Sequence, residues 1–183
     1  RQNPTVAVLV GGDPRADYGK IYNAMVLLQQ AGVPKVGLMS QPLQKETFDL
    51  SRIASQIADE LHAEEPDRKV SIEITQGLTV TADQALIYAM LDNLLRNAWK
   101  FTAEREHARI ALKAERIGER RVFCIEDNGS GFDMEHAGNL FRAFYRLHNS
   151  DSYPGTGIGL ATVQRIVHRH DGSIWAESRS GEG

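Results

Sequence analysis

Apolar residues recur along this chain with two periods, and the alternation between those periods lays out its elements. Thr5-Val6-Ala7-Val8-Leu9-Val10 is a continuous apolar, β-branched run that predicts a buried strand, broken by Gly11-Gly12-Asp13-Pro14. Between Tyr18 and Gln30, Ile21, Met25 and Leu28 recur at helical spacing, and Ala31-Gly32 supplies a stop. Val36-Gly37-Leu38-Met39 predicts a second strand. This opening unit is βαβ-like and, at about forty residues, too small for a complete core of its own.

Gln41 to Thr47 is polar with one proline and reads as a junction. Asp49 and Ser51 can cap a helix running to about Ala63, with Leu50, Ile53, Ile57 and Leu61 on one face. Val70, Ile72 and Ile74 alternate with polar residues, which predicts a half-buried strand, and Gly77-Leu78-Thr79-Val80 reads as its hairpin return. Asp83 opens a second helix whose buried stripe is Leu86, Met90, Leu91, Leu94 and Leu95. Strands are expected over His107–Ala114 and Arg121–Glu126, joined through Gly118. A glycine-rich polar stretch follows, Asp127 to Gly159, with a short helix near Glu135–Phe141. A helix from about Leu160 to His170 and a strand over Ser173–Glu177 close the pattern.

Composition narrows the function classes. The 183 residues are 42% hydrophobic and 25% charged, ordinary for a globular protein, and the net charge of −3 argues against nucleic-acid binding through a broad basic field. A phosphate ligand would need local donors. The single cysteine, Cys124, permits no internal disulfide and reads as a buried strand residue. No apolar run approaches the roughly 18 residues that span a bilayer.

Three clusters carry chemistry. In Asp92-Asn93-Leu94-Leu95-Arg96-Asn97-Ala98-Trp99-Lys100-Phe101, Asn93 and Asn97 share a helix face one turn apart, with Lys100 a turn further on. Carboxamide oxygens suit Mg²⁺, and a lysine meets phosphate as a point charge; the bland alternative is the polar face of an amphipathic helix. Asp127-Asn128-Gly129-Ser130-Gly131 follows a strand directly. Its carboxylate could accept from an exocyclic amine such as adenine N6, and its glycines let backbone approach a flat ligand; an ordinary turn is the alternative. Gly155-Thr156-Gly157-Ile158-Gly159-Leu160 leads into a helix, where free amides and the helix dipole favour phosphate. A dinucleotide fingerprint would need a strand just before the glycines, and His148 to Tyr153 is not one; a Walker A loop would need Lys-Ser/Thr where Leu160-Ala161 stands.

In this order the clusters closely resemble the N, G1, F and G2 boxes of histidine-kinase ATPase domains, a superfamily shared with GyrB, Hsp90 and MutL. The resemblance covers about residues 46–183, with Leu140 to His148 as the F box. It implies a two-layer α/β sandwich of the Bergerat type that binds ATP and Mg²⁺ and transfers the γ-phosphoryl to a histidine. By resemblance, Asn97 is the principal metal ligand with Asn93 beside it, Asp92 assists transfer, and Lys100 contacts phosphate. Asp127 fixes adenine, and Gly129 and Gly131 shape that wall. Phe141, Phe144 and Arg146 belong to a lid, and Gly155, Thr156, Gly157, Gly159 and Leu160 close over the phosphates. The implied partners are a histidine-bearing dimerisation domain and a response regulator, with the kinase domain cytoplasmic and its parent at the inner membrane.

Two features depart from that pattern. No histidine lies in a His-Glu or His-Asp sequence opening a long helix; His62, the nearest, reads as solvated. The family's final apolar strand would follow Ser180-Gly181-Glu182-Gly183, so the domain over 44–183 is expected to lack it and expose a sheet edge. Over residues 4–43, Asp13, Tyr18, Gly19, Met25 and Lys35-Val36-Gly37-Leu38 resemble the end of an ExbD/TolR periplasmic domain, which makes 1–43 a separate unit. The competing functional class is a non-enzymatic interaction module with a vestigial ATP site; a GyrB-type ATPase is a third.

Overall fold

The computed structural model describes residues 8–10, 36–38, 42–145, 156–179 and 181. The chain divides into two compact units, Arg1–Gln44 and Lys45–Gly183. In the first, strands β1 (Val8–Val10) and β2 (Val36–Leu38) pair in parallel, Val8 opposite Val36. The helix expected over Tyr18–Gln30 lies outside the described residues.

The second unit begins with a strand where the polar junction was expected. β3 (Lys45–Asp49) pairs antiparallel with β5 (Thr79–Asp83), Lys45 opposite Asp83. Its composition is too polar to announce a strand, but Phe48 packs on the core and the Thr47 and Thr81 hydroxyls meet at 2.8 Å across the pair. Helix α1 (Leu50–Glu64) follows with no linker, because Asp49 turns the chain and caps it, Oδ1 accepting from the Ser51 N–H at 2.9 Å.

β4 (Val70–Ile74) does not form the expected hairpin with β5. It pairs in parallel with β6 (Ala108–Ile117), which pairs antiparallel with β7 (Arg120–Asp127), giving the order β4-β6-β7. Ser51 accounts for the parting of the chain. Its fully buried hydroxyl donates to the Thr75 carbonyl at 2.8 Å and accepts from the Leu78 N–H at 3.0 Å, so the turn between β4 and β5 is tied to α1. Ser51→Ala leaves the buried Leu78 amide without that acceptor and is expected to cost about 2 kcal/mol in urea denaturation.

Helix α2 (Gln84–Phe101) is capped by Asp83, whose Oδ1 accepts from the Leu86 N–H. It buries Leu86, Ile87, Leu91, Leu95, Ala98 and Trp99, so the expected stripe widens toward its C-terminus, while Met90 and Leu94 are only half-buried. Ile87, Leu91, Leu95, Ala98 and Trp99 share one core with Ile53, Ile57 and Leu61 of α1 and Ile110 and Leu112 of β6. The sheet's other face is polar: Lys113 reaches Glu126 at 2.7 Å and Glu115 at 3.0 Å. The unit is therefore the two-layer α/β sandwich expected. No helix among the described residues is long and apolar enough to cross a membrane.

Three further expectations are corrected. Cys124 lies in β7 but is half-buried; burial and the nearby Glu126 carboxylate push its thiol up, so it is not a thiolate at neutral pH. His62 is packed, not solvated. Nδ1 lies 2.8 Å from the Ala58 carbonyl, Nε2 lies 3.2 Å from that of Val70, and the ring meets Trp99 edge-on at 5.1 Å. Ser173–Glu177 forms no strand. Near there the chain is held by the glycine loop instead of a ladder, through Phe132 N–H to Ser178 Oγ and Gly181 N–H to the Ser130 carbonyl, both 2.8 Å.

Candidate functional site

Helix α2 is the spine of the site because both glycine clusters are packed against it. At its C-terminal end the Ser130 N–H donates to the Phe101 carbonyl at 3.1 Å, which seats the loop after β7 on the last turn. Asp127 ends β7, and its Oδ1 accepts from the Gly129 N–H at 2.9 Å. A Cβ on Gly129 would lie 2.6 Å from that oxygen and 2.7 Å from the Phe101 carbonyl, so only glycine admits this approach. Burial pushes the Asp127 carboxyl above its ordinary value, and the Gly129 amide pulls in the opposite direction. Asn128 locks the loop to the start of β6, accepting from the Arg109 N–H and donating to the His107 carbonyl, both at 2.8 Å. Gly131 takes the left-handed φ of 60° that carries the chain away.

Halfway along α2, Asn93 meets the start of α3 (Gly159–Arg169). Its Nδ2 is committed to the Ala89 carbonyl at 2.8 Å, which leaves Oδ1 as the outward acceptor. A Cβ on Gly159 would sit 2.7 Å from that Oδ1, so glycine again permits the contact. Asn97 lies one turn on and Lys100 nearly one more, both half-buried, with Lys100 Nζ 4.3 Å from the centre of the Phe101 ring. Asp92 and Arg96 occupy a different strip of the helix. Arg96 Nε holds Asp92 at 2.7 Å and its two terminal nitrogens hold Glu64 of α1 at 2.8 and 2.9 Å. Asp92 is thus committed to a structural ion pair.

The start of α3 differs from the other helix starts. α1 and α2 each carry an aspartate cap, whereas Ile158 precedes α3 with no side-chain cap, so its first amides have no such acceptor. Uncapped amides at the positive end of a helix dipole favour an anion. Phe144 and Gly157 fasten the segment ahead of it. Both have left-handed φ, 64° and 71°; the Phe144 N–H donates to the Gly157 carbonyl at 2.9 Å, and a Gly157 Cβ would come within 3.1 Å of Phe144 backbone. Phe144 is exposed, Phe141 half-buried, Thr156 exposed and Leu160 half-buried. Arg146 and Gly155 lie outside the described residues.

The residues fit an elongated ligand with a flat polar end and an anionic end. From Asn93, where the start of α3 approaches α2, to Phe101, where the Asp127 loop is seated, is about 12 Å along the helix axis. The Ser130 hydroxyl, buried beside that wall with no hydrogen-bond partner among the described residues, is a second unsatisfied group there. The described residues include no cluster of three His, Cys, Asp or Glu side chains able to hold a metal. Carboxamide oxygens and ligand phosphate are then the hard donors on offer. A cleft of about 530 Å³ lies at the far end of β6, between the Thr75–Leu78 turn and Glu115, Arg116 and Arg121. It contains none of the glycine clusters, which lie toward the other end of the sheet. Sequence reasoning missed Arg96 and Ser130; the i,i+4 spacing of Asp92 and Arg96 was the available signal for the first.

Comparison with known proteins points to one family. Residues 82–183 match the family profile of histidine kinase-, DNA gyrase B- and HSP90-like ATPases. Cyanobacterial phytochrome A of Nostoc sp. is 42% identical over 105 residues, covering 57% of this chain and 14% of that protein. The methanogenesis regulatory histidine kinase FilI of Methanothrix harundinacea is 30% identical over 184 residues, 97% of this chain and 20% of that protein. The chain thus spans a fifth or less of the length of these relatives. They lend no support to the transport-accessory resemblance of residues 4–43. Among solved structures, the catalytic domain of histidine kinase ThkA superposes with a TM-score of 0.62 at 22% identity, over 75% of this chain and 90% of that one.

Proposed function

The chain belongs to the family of histidine kinase-, DNA gyrase B- and HSP90-like ATPases, and from that premise we propose that it is the ATP-binding catalytic domain of a sensor histidine kinase. The observation that carries this reading is the meeting of Asn93 with the uncapped start of α3 at Gly159, while the same helix supports the Asp127 wall at Phe101. One helix thereby holds both ends of a nucleotide.

With Oδ1 taken by the Gly129 amide, Asp127 has its second oxygen to accept from the exocyclic amine of adenine. Gly157, Gly159 and Leu160 present backbone amides to the phosphates, and Lys100 adds a point charge. Asn97, with Asn93 beside it, is the set that would hold Mg²⁺. When bound, Mg²⁺ neutralises phosphate charge as the γ-phosphoryl leaves. The γ-phosphoryl passes from ATP to an imidazole nitrogen of a separate histidine-bearing domain, and ADP departs. Asp92 could assist only after its pair with Arg96 opens. A response regulator is the expected acceptor downstream.

Calorimetric titration of the folded chain with ATP, with and without Mg²⁺, tests the reading. Binding that Mg²⁺ strengthens, followed by labelling of a supplied histidine domain from γ-labelled ATP, is the expected result. A folded chain that binds no ATP at millimolar concentration refutes it and leaves a non-enzymatic module.

A further inference from the structure

His170 closes α3 at the end remote from the site, yet its ring joins two helices. The residue is the C-cap of α3, and Nδ1 lies 2.8 Å from the Ile166 carbonyl of its own last turn. Nε2 accepts from the Asp83 backbone N–H at 3.1 Å, across 87 residues of sequence. A carbonyl can only accept and an amide N–H can only donate. The two bonds therefore specify one species, a neutral imidazole with its proton on Nδ1.

Asp83 is in turn the N-cap of α2. The two helices run antiparallel: the Asp83 amide is bonded to His170 at the start of α2, and halfway along α2 Asn93 closely approaches Gly159 at the start of α3. The spans match. From Asp83 to Asn93 is ten residues of helix and from Gly159 to His170 is eleven, about 15 and 16.5 Å at 1.5 Å per residue.

We propose that His170 is a positioning residue for the nucleotide site, a latch that sets the axial register of α3 on α2; this rests on the function proposed above. α2 and α3 also pack on one another, α3 buries the apolar side chains of Val163 and Ile166, and apolar contact is non-directional. A hydrogen bond to one backbone amide has a fixed address. At Gly159 the approach is close, since a Cβ there would stand 2.7 Å from Asn93 Oδ1. A slip of one residue, about 1.5 Å, would carry the phosphate-facing amides off the Asn93–Asn97 strip, and errors of about 1 Å at such sites cost on the order of 100-fold in rate.

Glutamine and asparagine separate a latch from a plain helix cap. In His170→Gln the amide oxygen reaches the position of Nε2 and can still accept from Asp83. In His170→Asn the amide reaches only the position of Nδ1, so the link to Ile166 is replaceable and the link to Asp83 is lost. The expected result is near wild-type ATP affinity for H170Q and about tenfold weaker affinity for H170N. H170N should also show faster hydrogen exchange at the Asp83 amide. On the wild-type ¹⁵N-labelled full chain, the long-range imidazole spectrum should show the neutral His170 ring as the tautomer with its proton on Nδ1. A ring protonated at Nε2, or H170N equal to wild type in both affinity and Asp83 exchange, overturns the proposal. A wild-type chain that binds no ATP refutes the functional reading, and the latch then stands or falls by the ring spectrum and the Asp83 amide.

Discussion

Asp127→Asn is expected to abolish most ATP binding while leaving the fold as stable as before or more so. In the wild-type site Oδ1 is held by the Gly129 amide, and the proposed function gives the other carboxylate oxygen to the base. The substitution keeps the first acceptor and turns the second into an NH₂ donor. A donor then meets the donor amine of adenine, and the ionic acceptor is gone, a loss of roughly 10- to 100-fold in affinity. Stability moves the other way. Burial raises the Asp127 carboxyl above its unfolded value, so the folded chain holds that proton more tightly than the unfolded one. The associated stability is complete below the unfolded value and is lost as pH rises through the folded one. At neutral pH the wild type therefore bears the cost of a buried charge that the asparagine variant lacks. The same shift makes ATP affinity fall as pH drops into the range where Asp127 takes up its proton. Calorimetry across pH beside thermal denaturation checks both parts; a variant that loses affinity because it melts early would contradict the assignment.

Gly129→Ala should produce the largest loss of stability. The new methyl would stand 2.6 Å from Asp127 Oδ1 and 2.7 and 2.8 Å from the Phe101 carbonyl oxygen and carbon, and backbone at the end of a packed helix cannot retreat as a side-chain tip can. Relief requires the loop to leave α2, which breaks the Ser130–Phe101 hydrogen bond, and an overpacking cost of about 3 kcal/mol is expected. Gly138→Ala is the matched control: a Cβ there has open space and its φ is not left-handed, so the effect should stay within about 0.5 kcal/mol. Urea denaturation of the pair measures the difference. Equal midpoints would mean that the loop is not seated on Phe101.

Much of the site was legible before any coordinates. The three glycine and asparagine clusters, their order, and their placement on a helix, a strand end and a helix start were all written in local sequence. Asp83 and Asp49 announced two helix starts, and Leu86, Leu91 and Leu95 the buried stripe between sheet and solvent. The transport-accessory reading of residues 4–43 rested on a short motif of common residues and gained no support. His62 was misread because a histidine near a helix end looks solvated in sequence, whereas the β4 backbone and Trp99 that enclose it come from distant parts of the chain.

The division follows the range of the forces. A helix closes hydrogen bonds four residues apart and its caps act within three, so the existence of α1, α2 and α3 was legible in the sequence alone, whereas the full width of α2's buried face came from packing. Glycine and carboxamide chemistry is likewise a property of residue type. Strand partnership is not, because a half-buried strand satisfies its backbone beside any other of similar pattern. Only the tertiary structure sent β4 to β6 and β5 to β3, through a buried serine hydroxyl on a helix outside both pairs. Only it left Ser173–Glu177 unpaired, and only it aligned Gly159 with Asn93 by fastening His170 to Asp83. Those contacts join residues tens of positions apart, and their energy exists only once the core has brought the partners within reach.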